Sequence, residues 1–78
     1  MSILPMLRYA AIIAALTKAG FTIVRQKGSH IFLRHAADPT RFATVPRHPR
    51  DISRKDLASI LRQAKLSVDQ FLKLLRGK

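Results

Sequence analysis

The chain has no cysteine and no glutamate among its 78 residues. Without thiols, neither a disulfide framework nor a thiolate zinc site can staple so small a fold. The absence also fits a reducing cytoplasm. Asp38, Asp51, Asp56 and Asp69 are the only acidic residues. They are scattered, so no carboxylate cluster is on offer to hold magnesium. Three widely spaced histidines make a poor zinc site. No metal and no cofactor is expected. Long hydrophobic runs are lacking too: none approaches the roughly 18 apolar residues of a membrane span. Residues 9–16 (YAAIIAAL) resemble a short signal-peptide core behind Arg8. Their removal would delete a helix that a chain this short needs, so a cytoplasmic protein without membrane attachment is expected.

Positive charge is abundant. Fifteen Lys and Arg face four Asp, for a formal net charge of +11. Self-repulsion at that density costs stability, and a polyanion is the expected counterweight. Nucleic acid comes first, an acidic protein second and an anionic membrane surface third. Residues 25–55 hold eight Lys or Arg against two Asp, together with all three histidines. That local excess argues for a phosphate-facing surface over a merely solvated one. Each phosphate neutralised adds about −0.7 to −0.9 to the slope of log K against log salt.

A chain of this size buries roughly 60% of its unfolded surface, enough for one core and one domain over residues 1–78. Residues 7–19 are rich in Ala and Leu, with Ile12, Ile13 and Leu16 at helical spacing and Gly20 at the helix-stop position. Residues 21–27 are β-rich, Gly28-Ser29 turns the chain, and residues 30–35 form a second strand. Pro39 marks a loop, residues 41–45 a third strand, and Pro46 its end. Ser53 with Asp56, and Ser67 with Gln70, read as successive helix caps. Ile52/Leu57 and Leu66/Phe71 are the matching staples. Leu57, Ile60, Leu61 and Ala64 form an apolar stripe, and a last helix spans residues 68–75. The result is an α+β fold: α-β-β-β-α with a three-stranded antiparallel sheet, helices on one face and a short extra C-terminal helix. That layout is the one of double-stranded-RNA-binding domains. Strand two carries apolar residues on both parities, Ile31 and Leu33 against Phe32. Its second face is either an interface or is covered by the last helix or by Ile3 and Leu4.

The chemistry centres on Gly28-Ser29-His30. An imidazole titrates near neutral pH and can take or give a proton. Arg25, Lys27 and Arg34 flank it on the two strands as cations for phosphate, and the backbone N–H groups of Gly28 and Ser29 add donors. Arg47, Arg50 and Lys55, with Arg54, lead into a helix N-terminus, which itself favours anions. His35 and His48 are candidates for a second proton-transfer group, although a surface-loop role is the plainer reading of both. Ser29 has no Ser-His-Asp setting and reads as a turn residue. On spacing alone, a solvated, non-catalytic His30 stays open.

Four blocks in order carry a resemblance: Leu16-Thr17-Lys18-Ala19-Gly20-Phe21, Arg25-Gln26-Lys27-Gly28-Ser29-His30, Val45-Pro46-Arg47-His48 and Leu57-Ala58-Ser59-Ile60-Leu61-Arg62-Gln63-Ala64. Together they resemble the HicA-type toxins over most of the chain. The resemblance implies a double-stranded-RNA-binding-like fold and ribosome-independent cleavage of mRNA. It also implies neutralisation by an acidic HicB-type antitoxin. The family's catalytic histidine falls on His30. This chain departs from the family in its very apolar first helix and in Ile31, where many relatives carry a histidine or a polar group. A homodimer and a hetero-oligomer with the antitoxin both stay open. The rival readings are a non-catalytic basic RNA-binding module and a basic adaptor for an acidic protein.

Overall fold

The computed structural model describes residues 4–76. The elements are α1 (Tyr9–Lys18), β1 (Phe21–Lys27), β2 (His30–His35), β3 (Phe42–Pro46), α2 (Arg54–Ala64) and α3 (Val68–Leu75). The strands form one antiparallel sheet in the order β1-β2-β3. This is the α+β order expected from the sequence, with the extra helix at its end.

Each helix follows from local chemistry. α1 buries Ile12, Ala15 and Leu16, one stripe of a 3.6-residue period. It stops at Gly20, whose φ of +103° is closed to ordinary side chains. A Cβ built there would meet Nε2 of His35 at 2.9 Å. Gly20→Ala is therefore expected to cost about 2 kcal/mol or more of stability, read as a lowered urea midpoint. In α2, Ser53 Oγ accepts the Asp56 amide at 3.1 Å. Leu57, Ile60, Leu61 and Ala64 all lie in the core. Ser67 and Gln70 cap α3 reciprocally, and Phe71 is fully buried.

The core is a single cluster between the helices and one face of the sheet. Phe21, Ile31, Leu33, Ala43 and Val45 supply the sheet side. α1 packs against β1, β3 and α3, and α2 packs against β3. Gln63 Oε1 of α2 accepts the Thr44 amide at 3.1 Å, which satisfies a donor of edge strand β3. Leu4 packs against the core, so it does not cover the other face of the sheet. Ile3 lies outside the described residues.

β1 contains a bulge. Ile23 faces Leu33 on β2, but Arg25 faces Phe32, so Val24 is the extra residue. Phe21 and Ile23 thereby share the core parity. Arg25 and Lys27, also odd-numbered, pair with Phe32 and His30 and fall on the opposite face. A regular strand would have sent those two cations to the core side.

The β2–β3 connection is tied by hydrogen bonds. His35 Nδ1 accepts the amides of Ala37 and Asp38, each at 3.1 Å. Its Nε2 therefore carries the proton and donates to the Ala19 carbonyl at 3.1 Å. Asp38 Oδ1 accepts the Thr40 hydroxyl at 2.6 Å and the Thr40 amide at 3.1 Å. The Thr40 side-chain bond, then its backbone bond, with Lys65 and Arg41 nearby, holds the Asp38 carboxyl below the usual carboxylate range. Asp38 thus supports the turn fully above its unfolded pKa of about 4, and that support is lost as pH falls through the lowered folded value. The Thr40 amide signal is expected to shift only in acid, and Asp38→Asn should remove the transition.

Candidate active site on the open sheet face

Cross-strand pairing lays out the open face in rows. Lys27, His30 and Pro46 form the first row, and Arg25, Phe32 and Thr44 the second. Thr22, Arg34 and Phe42 form the third. His30 opens β2 and is solvent-exposed. Its ring lies 6.4 Å from that of Phe32, centroid to centroid. Gly28, at φ +57°, turns β1 into β2 and leaves the imidazole at the rim of the sheet.

A cleft of about 340 Å³ opens where this rim meets α2. His30, Thr44 and Pro46 line the sheet side, and His48 joins them from the loop after β3. Asp56, Ser59, Ile60 and Gln63 form the helix wall. Asp56, Ser59 and Gln63 belong to no site motif in the sequence; the signal that points to them is their spacing of three and seven residues, which puts them on one helix face.

The other expected residues divide. Arg25 and Arg34 reach a separate depression on the same face, which they line with Phe32 and Val24. Lys27 is exposed beside His30. Ser29 is exposed in the turn, where its carbonyl accepts the Arg47 amide at 2.6 Å and extends the β2–β3 ladder. The Arg47 guanidinium lies 6.0 Å from the Tyr9 ring, towards α1 rather than the cleft. Arg50 and Lys55 are exposed near the start of α2 and line neither hollow. His35 is spent on the backbone, as described, and its ring packs edge-on against Phe21 at 5.1 Å. Of the two candidate partners for His30, only His48 shares its cleft.

Arg8 pairs with Asp51 at 3.8 Å, and both side chains are solvent-exposed. Such a pair contributes little. Several cations bond to the fold instead: Arg41 Nε donates to the Ala64 carbonyl at 2.9 Å, Lys65 Nζ to Thr40 Oγ1 at 3.0 Å, and Arg54 Nε to the Leu4 carbonyl at 2.7 Å. Among the described residues no three His and Asp side chains are grouped to hold a metal ion. Nor is any described helix long and apolar enough to cross a membrane.

No curated protein matches the chain. A family model described as the HicA toxin of bacterial toxin–antitoxin systems matches residues 9–66. That span runs from the first residue of α1 to two residues past α2, and includes the whole open face and both walls of the cleft. The chain therefore belongs to the HicA toxin family, whose members act within toxin–antitoxin pairs.

Proposed function

We propose that this toxin is a ribosome-independent endoribonuclease that cleaves mRNA, with His30 as general acid/base. The supporting observation is an exposed imidazole on a cationic sheet face, at a cleft that holds a second imidazole. In this reading the ribose 2′-hydroxyl attacks the adjacent phosphorus. One imidazole takes the 2′-hydroxyl proton as the O2′–P bond forms. The other gives a proton to the departing 5′-oxygen as the P–O5′ bond breaks. The products are a 2′,3′-cyclic phosphate and a 5′-hydroxyl. His48 is the candidate second group. Arg25 and Lys27, with the backbone amides of Gly28 and Ser29, position the phosphate and offset the charge that builds on its oxygens. Arg34, Arg47, Arg50 and Lys55 are longer-range attractors for the RNA backbone. The chemistry requires a 2′-hydroxyl, so DNA is not a substrate. An acidic HicB-type antitoxin would restrain the toxin by covering this cationic face in the cytoplasm.

Purified protein incubated with single-stranded RNA, in the presence of a chelator, is expected to produce cyclic-phosphate ends and to leave DNA intact. Salt-sensitive RNA binding without scission would instead establish a non-catalytic RNA-binding module.

A further inference from the structure

We infer that Phe32 is a stacking platform for an unpaired nucleobase of the substrate, so that the sheet face takes single-stranded rather than duplex RNA. The inference rests on the endoribonuclease reading and adds the form of RNA to it.

Phe32 is half-buried in the central strand, with its ring in a depression of about 350 Å³. Arg25 and Arg34 line that depression with it. The Arg25 guanidinium lies over the ring, 4.9 Å from its centroid. Arg25 is exposed, so its guanidinium can leave the ring for a phosphate or stack on the base that takes its place, with Arg34 near the second flanking phosphate. Phe32 stands two residues from His30 on the same face, and the two rings are 6.4 Å apart. That is about one nucleotide step along an extended strand. A base held on Phe32 thus presents a neighbouring ribose-phosphate to His30. The bulge at Val24 matters here, because it brings Arg25 into the row of Phe32.

α1 does not offer the alternative. α1 carries one cation, Lys18, and its Nζ donates to the Leu74 carbonyl at 3.3 Å. A duplex, moreover, keeps its bases stacked inside and cannot place one flat on a side-chain ring.

The test uses the full-length His30→Ala protein, which is expected to hold RNA without cutting it. The probes are a single-stranded RNA oligonucleotide, the same strand with one abasic ribose moved along it, and the matching duplex. Adding Phe32→Leu is expected to weaken single-strand binding about tenfold, and Phe32→Trp to restore it. One abasic position should cost the His30→Ala protein a similar factor and cost the Phe32→Leu version nothing further. Thermal melting of each variant separates loss of stacking from loss of fold. Equal affinity of the Leu and Phe proteins would overturn the inference, as would an abasic penalty undiminished by Phe32→Leu or tighter binding of the duplex. In each of those cases, cleavage by the His30 protein leaves the endoribonuclease reading standing. A His30 protein that neither binds nor cuts RNA would remove both.

Discussion

Alanine at position 30 is expected to lower RNA cleavage by about 10²–10⁴-fold, the usual contribution of a positioned acid or base. Growth arrest on expression should be relieved with it. His30 is exposed and outside the core, so the thermal midpoint should barely move. The other two histidines give the contrast. His48→Ala removes the second imidazole of the cleft and should lower cleavage in a folded protein. His35→Ala removes the acceptor for two amides and a donor to Ala19, and should lower stability instead. Toxicity undiminished in folded His30→Ala protein would reject the acid/base assignment.

Phe71→Ala carries the largest expected effect on stability. The ring is fully buried in α3, beyond the residues that match the family model. Truncating a buried Phe costs about 3–5 kcal/mol. A domain of this length has a total of only about 4–12 kcal/mol. The variant should therefore populate the unfolded state at 37 °C, seen as lost helical circular dichroism and a collapsed urea midpoint. An unchanged midpoint would mean that α3 is an appendage rather than part of the core.

The sequence made some of this visible and hid the rest, for physical reasons. Caps are local, so Ser53, Ser67 and Gln70 marked their helices without any knowledge of the fold. The stripe Leu57, Ile60, Leu61 and Ala64 carries its own period, and all four residues are buried. The family model covers all four motif blocks. The bulge was hidden, because one unpaired residue leaves no signature beyond Arg25 and Lys27 continuing the parity of Phe21 and Ile23. The cleft was hidden as well. It forms between β3 and a helix separated from it by a loop, and only tertiary packing brings Gln63 to the Thr44 amide. Side chains also found partners that sequence spacing does not show: Arg47 lies over Tyr9, and both His35 nitrogens bond to backbone. The second face of strand two is only partly open. Phe32 is half-buried there, while Val24 and Phe42 expose apolar surface. α3 packs on α1.

The most direct test of the account is an amide chemical-shift titration of folded His30→Ala protein with single-stranded RNA. The central claim is that RNA lies across the bulged, cationic face of the sheet, at the rim that carries residue 30. Perturbations are predicted at Arg25, Lys27, Phe32, Arg34 and Thr44, and along the α2 wall at Asp56, Ser59 and Gln63. Perturbations confined to α1 and α3, with the sheet face silent, would contradict it.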